Sequence, residues 1–101
     1  MNRPSRAIDR EAAEDIAIAA LGFMAADPVL LPRFLSMTGI EASDIRNAAR
    51  EPGFLAGVLQ FIAAHEPTLL AFTEATGQDP ASVTAAMRAL PGGDSRFDIQ
   101  P

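Results

Sequence analysis

The side chains that could carry out chemistry are few, and they do not form a known catalytic set. His65 is the one histidine, and there is no cysteine to supply a thiolate, so the sequence predicts no zinc site. We expect His65 at the end of the fourth helix, where it can interact with the last carbonyls and the helix dipole. Glu11, Glu14 and Asp15 could act as acids or bases, but they are typical of the solvated start of a helix.

No serine–histidine–aspartate set, glycine-rich phosphate loop or calcium loop is found in the sequence. We therefore predict a protein that is not an enzyme and that has no catalytic, cofactor-binding or metal-binding residues.

A second group of polar residues could contact nucleic acid. Gly39 is followed six residues later by Ile45, a spacing that resembles the helix-turn-helix motif. The candidate contacts are the polar side chains of the helices on either side of this turn: Arg33, Arg46, Asn47 and Arg50. Glu41 and Asp44 would repel phosphate there, and the net charge of −5 disfavours nonspecific binding to nucleic acid or anionic membranes. DNA binding through the third helix therefore remains the alternative function.

Four acid–proline pairs predict where helices begin. Proline lacks an N–H group and suits the first turn of a helix, and an acid before it can cap free N–H groups. The pairs are Asp27-Pro28, Glu51-Pro52, Glu66-Pro67 and Asp79-Pro80. Aspartate is the stronger capping residue of the two acids. Gly39 and Gly77, each preceded by a threonine, are expected to end helices in the left-handed conformation.

These signals predict an all-α fold, a compact bundle of about six short helices. The predicted ranges are 6–26, 28–38, 42–50, 53–65, 67–76 and 80–90. Ser5 is the expected N-cap of the first helix, and the fourth helix is apolar around most of its circumference, which predicts a central position. We expect one helical domain over residues 6–91, a flexible N-terminus of residues 1–5 and a disordered C-terminal segment of residues 92–101.

The apolar composition favours helices more than a large core. Residues of the apolar class make up 49% of the chain, but 20 of them are alanine, which favours helix and buries little area. The longest apolar stretches, 16–26 and 54–64, are about half the length of a membrane span, and no secretory signal is recognised. We expect a cytoplasmic protein without a membrane contact.

The sequence also repeats itself at an offset of 38 residues. Ten identities relate residues 16–50 to the second half, and only three of them are alanine pairs. Phe34, Thr38 and Gly39, for example, align with Phe72, Thr76 and Gly77. The repeat predicts two diverged three-helix halves, about 6–50 and 51–90, that share one core. Convergence of two similar helix–turn–helix segments is the alternative explanation.

Short helices cannot hide every large apolar side chain. Leu30, Leu35, Leu70 and Met87 are candidates for an exposed partner surface. Met24, Met37 and Met87 are most simply explained as flexible core side chains, so Met87 has both interpretations.

Three segments, Ala20–Pro28, Arg33–Gly39 and Pro52–Leu55, resemble a family of small bacterial all-helical proteins of unknown function. Leu69–Phe72 fits as well, and the resemblance covers roughly residues 10–92. It implies the helical fold and a bacterial cytoplasmic setting, and it implies no activity or site residue.

We expect a noncatalytic protein-binding or adaptor module, with another protein or a second copy of this chain (a homodimer) as its partner. The reasons are the acidic charge, the absence of a catalytic set and the excess of apolar side chains over what short helices bury.

Overall fold

The structure, a computed structural model, describes residues 8–91. Its helices are α1 (Arg10–Ala25), α2 (Leu30–Thr38), α3 (Ile45–Ala48), α4 (Phe54–Ala63), α5 (Glu66–Thr76) and α6 (Pro80–Ala89), and a 3₁₀ turn (Ala42–Asp44) precedes α3. No strand occurs in this range, so the prediction of a compact all-α fold with six helices is confirmed. The segments predicted to be flexible or disordered, 1–5 and 92–101, lie outside the described residues.

α4 lies at the centre of the fold, as its apolar circumference predicts. It packs against α1, α5 and α6, and α1 also packs against α6. The fully buried side chains of α4 are Ala56, Val58, Leu59 and Ile62. Met24 of α1 is also fully buried, which confirms its predicted place in the core.

α1 begins later than predicted. Asp9 is its N-cap, and the Asp9 carboxylate accepts a hydrogen bond of 2.8 Å from the backbone N–H of Ala12. Residues 8 and 9 are not helical, so the expected N-cap at Ser5, which itself lies outside the described residues, is wrong. The aspartate at position 9 satisfies a free N–H group in the first turn, and the helix therefore begins at Arg10.

Both aspartates of the acid–proline pairs cap backbone N–H groups. Asp79 is the N-cap of α6 and accepts a hydrogen bond of 2.9 Å from the N–H of Ser82, as predicted. Asp27 accepts bonds of 2.8 and 3.1 Å from the N–H groups of Val29 and Leu30. A turn separates Asp27 from α2, so this helix begins two residues later than Pro28.

The two glutamates do not act as caps, although α4 and α5 begin within one residue of the positions that their acid–proline pairs predict. After Glu51-Pro52 the chain makes a turn through Gly53, whose φ is 95°, and α4 begins at Phe54 without a side-chain cap. Glu66 is the first residue of α5, and Pro67 is in the first turn. The longer glutamate side chain is the poorer cap, and Glu66 instead places its charge at the positive end of the helix dipole.

The two Thr-Gly turns have nearly the same geometry. Gly39 and Gly77 end α2 and α5 with φ of 78° and 79°, which confirms both as left-handed terminators. The Thr38 hydroxyl donates to the carbonyl of Phe34 (2.9 Å), and the Thr76 hydroxyl donates to the carbonyl of Phe72 (2.8 Å).

The first two helices of each half also meet at similar angles, 111° between α1 and α2 and 108° between α4 and α5. The third helices differ, since α3 has 4 residues and α6 has 10. Duplication of a three-helix unit therefore stays a prediction.

The predicted third helix, 42–50, is wrong as a continuous element. The structure has the 3₁₀ turn followed by the single α-helical turn of α3. The Asn47 side chain donates a hydrogen bond of 3.0 Å to the carboxylate of Asp44, and short polar side chains of this kind favour turns over helix. Only Ile45 and Ala48 are even partly buried in α3, so little packing stabilises a longer helix.

Within residues 8–91, no helix taken singly is both long enough and apolar enough to cross a membrane. The pairs α1 with α2 and α4 with α5 reach that length and composition only together, across their sharp bends.

Candidate functional site

An apolar groove lies between α2 and α4, and the start of α5 contributes to its lining at one end. Its volume is about 570 Å³. Four residues of α2 that line it, Leu30, Arg33, Phe34 and Met37, follow the i, i+3, i+4, i+7 spacing of one helix face. We call this surface the α2–α4 groove.

Phe34 fixes the position of α2 against α4. Its ring is 2% exposed and makes edge-to-face contacts with two phenylalanines of α4. The ring centroids are 5.8 Å apart for Phe54 and 5.5 Å apart for Phe61. Such pairs contribute about 0.5–1.5 kcal/mol beyond the apolar area they bury. The groove therefore has a fixed aromatic floor, with Phe61 on the α4 side.

Met37 is 72% exposed, more than any other large apolar side chain of residues 8–91, so its assignment to the core is wrong. It lies on the same face of α2 as Phe34, almost one turn further on, and lines the groove with it. A methionine side chain is flexible and adapts to an apolar partner. Because Met37 is exposed beside the aromatic floor, the groove presents apolar side-chain surface to solvent.

The other predictions of exposed apolar residues have mixed outcomes. Leu70 is 50% exposed, as expected, but it does not line the α2–α4 groove. Leu30, Leu35 and Met87 are partly buried against the core, so they are not exposed as predicted, and Met87 fits its alternative interpretation as a core side chain. Leu30 nevertheless forms part of the groove wall.

The rim of the groove is polar and positively charged. Among the residues that line the groove, Arg33 is the one arginine, and there is no lysine, aspartate or glutamate. His65 and Thr68 close one end, and His65 Nδ1 shares a hydrogen bond of 2.7 Å with Thr68 Oγ1. His65 immediately precedes α5, two residues after α4 ends, so the prediction of a histidine within the end of the fourth helix is wrong. The ring is held against α5 instead.

A second, smaller depression of about 190 Å³ lies where the start of α4 meets the start of α1 and the residues that follow α6. It brings together Arg10, Glu14, Arg50 and Glu51. Arg10 and Glu14 form an exposed ion pair with an N–O distance of 3.4 Å, a type of contact that adds less than about 1 kcal/mol to stability.

The four residues proposed to contact nucleic acid are not gathered at one depression. Arg33 lines the α2–α4 groove, whereas Arg50 lines the smaller depression beside two carboxylates. Arg46 and Asn47 lie on the single turn of α3, and the Asn47 side chain is bonded to Asp44. Within residues 8–91, no group of three or more histidine, aspartate or glutamate side chains is arranged to hold a metal ion.

Sequence reasoning missed the α4 side of the groove. Gly57, Gln60 and Ala64 line it with Phe61. The apolar stripe of α2 is a sequence signal for the α2 wall of the groove, because the stripe has more apolar residues than the one, Phe34, that the helix buries. The facing wall depends on how α2 crosses α4, which the pattern along the chain does not contain.

Comparison with known proteins identifies the family and no characterised relative. No curated protein and no solved structure matches the chain. The model of one family, described as a protein of unknown function (DUF3572), matches residues 10–93. This range is most of the chain and includes every structurally described residue except residues 8 and 9. This match confirms the resemblance drawn from the sequence, and the chain belongs to the DUF3572 family of proteins of unknown function.

Proposed function

We propose that this protein is a noncatalytic protein-binding module whose α2–α4 groove receives the apolar face of an amphipathic helix from a partner protein. The observation that carries the proposal is the exposure of Met37 next to the aromatic floor of Phe34 and Phe61. Apolar surface at the centre of a concave site with a polar rim is the usual form of a helix-binding groove.

The dimensions of α2 suit such a ligand. A helix of nine residues is about 13 Å long, and two anchors at positions i and i+7 of a bound helix are about 10 Å apart. The groove can therefore hold anchors from two successive turns, the pattern by which amphipathic helices are recognised.

Charge suggests which helix would be preferred. Arg33 lies on the rim, and no aspartate or glutamate is among the lining residues, although the chain as a whole has a net charge of −5. A partner helix with an acidic residue beside its apolar face would pair with Arg33. A charge at the rim contributes more to orientation and association rate than to affinity.

The test uses a fluorescent amphipathic peptide with leucine at i, i+4, i+7 and i+11 and glutamate among the remaining positions. Its binding is measured by fluorescence anisotropy, and a peptide of the same composition with the leucines spread around the helix is the control. We expect the amphipathic peptide to bind and the control to bind at least tenfold more weakly, since only the first presents a continuous apolar face.

A matched pair of protein variants locates the binding. Met37→Glu puts a charge into the groove, and Leu70→Glu puts the same charge on an exposed apolar position outside it. We expect Met37→Glu to weaken binding about tenfold or more, which corresponds to about 1.4 kcal/mol, and Leu70→Glu to leave it nearly unchanged. Equal effects of the two variants, or equal binding of the two peptides, would reject the groove as the site.

A labelled DNA duplex included in the same assay tests the alternative function. Duplex binding that Arg46→Glu abolishes and Met37→Glu leaves intact would replace the proposal with DNA recognition through α3.

A further inference from the structure

We propose that residues 94–101 of this chain occupy the α2–α4 groove when no partner is bound, which rests on the groove of the proposed function. This C-terminal segment contains two large apolar residues, Phe97 and Ile99, on either side of Asp98. A second acid, Asp94, begins the segment. The segment would then compete with the partner helix for the same surface.

The segment starts close enough to reach the groove. Pro91 lines the smaller depression together with Leu55 and Ala56 of α4, and the groove lies on a different face of the same helix, which carries Gly57 and Gln60. Gln60 is about 6 Å further along the helix axis than Ala56, since each residue rises 1.5 Å. The six residues from Pro91 to Phe97 span up to about 20 Å when extended, which covers this distance and the path around α4.

The chemistry of the segment matches the groove. Phe97 can add a third ring to the aromatic floor of Phe34 and Phe61, whose existing contact is edge to face. Asp98 is the acid that Arg33 lacks among the residues lining the groove.

Attachment to the same chain compensates for the small number of apolar side chains in the segment. A short linker gives an effective concentration in the millimolar range, and glycine, which stands at positions 92 and 93, is compatible with turn conformations. A contact with a dissociation constant below about 1 mM is therefore sufficient for the segment to occupy the groove of its own chain.

A paramagnetic label on the segment tests this occupancy in the full chain. The sequence has no cysteine, so Ser95→Cys gives one attachment site for a nitroxide. Proteins with ¹³C-methyl methionine report on the groove through Met37. We expect strong broadening of the Met37 methyl signal, and recovery of its intensity when Phe97→Ser and Ile99→Ser are added to the labelled protein. An unbroadened Met37 signal, or broadening that survives these two substitutions, would overturn the proposal.

A mixed sample separates this arrangement from a dimer. Here the nitroxide is carried by copies without ¹³C, and the ¹³C-methyl groups are carried by copies without nitroxide. We expect no broadening of Met37 in this sample, because the segment and the groove belong to the same molecule. Broadening of equal strength would show that the segment of a second copy fills the groove and would overturn occupancy within one chain.

The peptide assay distinguishes failure of this inference from failure of the proposed function. The full chain with Phe97→Ser and Ile99→Ser should bind the amphipathic peptide several-fold more tightly than the unchanged chain. Equal, measurable affinities would reject competition by the segment while leaving the groove as a binding site. Absence of peptide binding to both proteins would instead reject the proposed function, and the nitroxide experiment would still decide whether the segment lies in the groove.

Discussion

Replacing Gly39 with alanine should destabilise the protein by about 1 kcal/mol. The left-handed conformation, with φ of 78° at this residue, costs a residue with a Cβ atom about 1–2 kcal/mol. A Cβ atom built at this position meets nothing within 4 Å, so no steric clash adds to the cost. Alanine also lowers the entropy of the unfolded chain, which returns about 0.4–1 kcal/mol and leaves the smaller net effect.

Gly22→Ala is the matched control, with the opposite sign expected. Gly22 lies within α1, and its added Cβ atom also meets nothing within 4 Å. Alanine in place of a helical glycine should stabilise the protein by about 0.5–1 kcal/mol. The two substitutions add the same methyl group in open space, so the difference between them reports backbone conformation.

Urea unfolding followed by far-ultraviolet circular dichroism measures both variants. The chain has no tryptophan or tyrosine, so the helical signal is a better probe than fluorescence. The midpoint should fall for Gly39→Ala and rise for Gly22→Ala, with the dependence of the unfolding free energy on urea concentration unchanged. Gly77→Ala, at φ of 79°, should behave like Gly39→Ala. A higher midpoint for Gly39→Ala would refute the assignment of this residue as a left-handed helix terminator.

Three further predictions concern the core, the caps and the groove. Leu59→Ala should destabilise the protein by about 2–5 kcal/mol because the side chain is fully buried, whereas Leu70→Ala should change stability by less than about 0.5 kcal/mol; similar urea midpoints would contradict this. Asp79→Ala should cost about 1 kcal/mol because it removes the cap of α6, and Glu51→Ala, which removes no cap, should cost less than about 0.5 kcal/mol in the same titration. Arg33→Glu should reverse the peptide preference in the anisotropy assay, so that a lysine version binds more tightly than the glutamate version; an unchanged preference would exclude Arg33 as the selecting charge.

The helices whose sequence signals agree with one another were predictable. α4 is apolar on nearly every side, and its central position follows from that pattern alone. Asp79 combines a good capping side chain with a proline at the next position, and α6 begins where these signals place it. Gly39 ends α2 as predicted because few other residues adopt the left-handed conformation without strain.

The elements that were mispredicted depend on competition between local interactions and packing. The segment 42–50 has helical spacing, but Asn47 bonds to Asp44 and too few apolar residues are buried to extend α3. Glu51, like the capping Asp79, is followed by a proline, but the Glu51 side chain does not cap α4. These outcomes depend on side-chain length and on contacts that are not local in sequence.

The groove was beyond prediction for a different reason. Met37 has the helical spacing of a core residue but is 72% exposed, whereas Phe34 on the same face of α2 is buried against Phe54 and Phe61 of α4. Crossing geometry depends on how two helix surfaces fit, which the periodicity of either helix alone does not specify.

The most direct test of the helix-binding groove is a ¹³C-methyl methionine spectrum recorded during titration with the amphipathic peptide. Met37 lines the groove, and the fully buried Met24 is an internal control in the same spectrum. The account predicts that the Met37 methyl signal shifts to saturation while the Met24 signal stays in place. A Met37 signal that does not move while the peptide binds elsewhere, or that moves equally with the control peptide, would contradict the central claim.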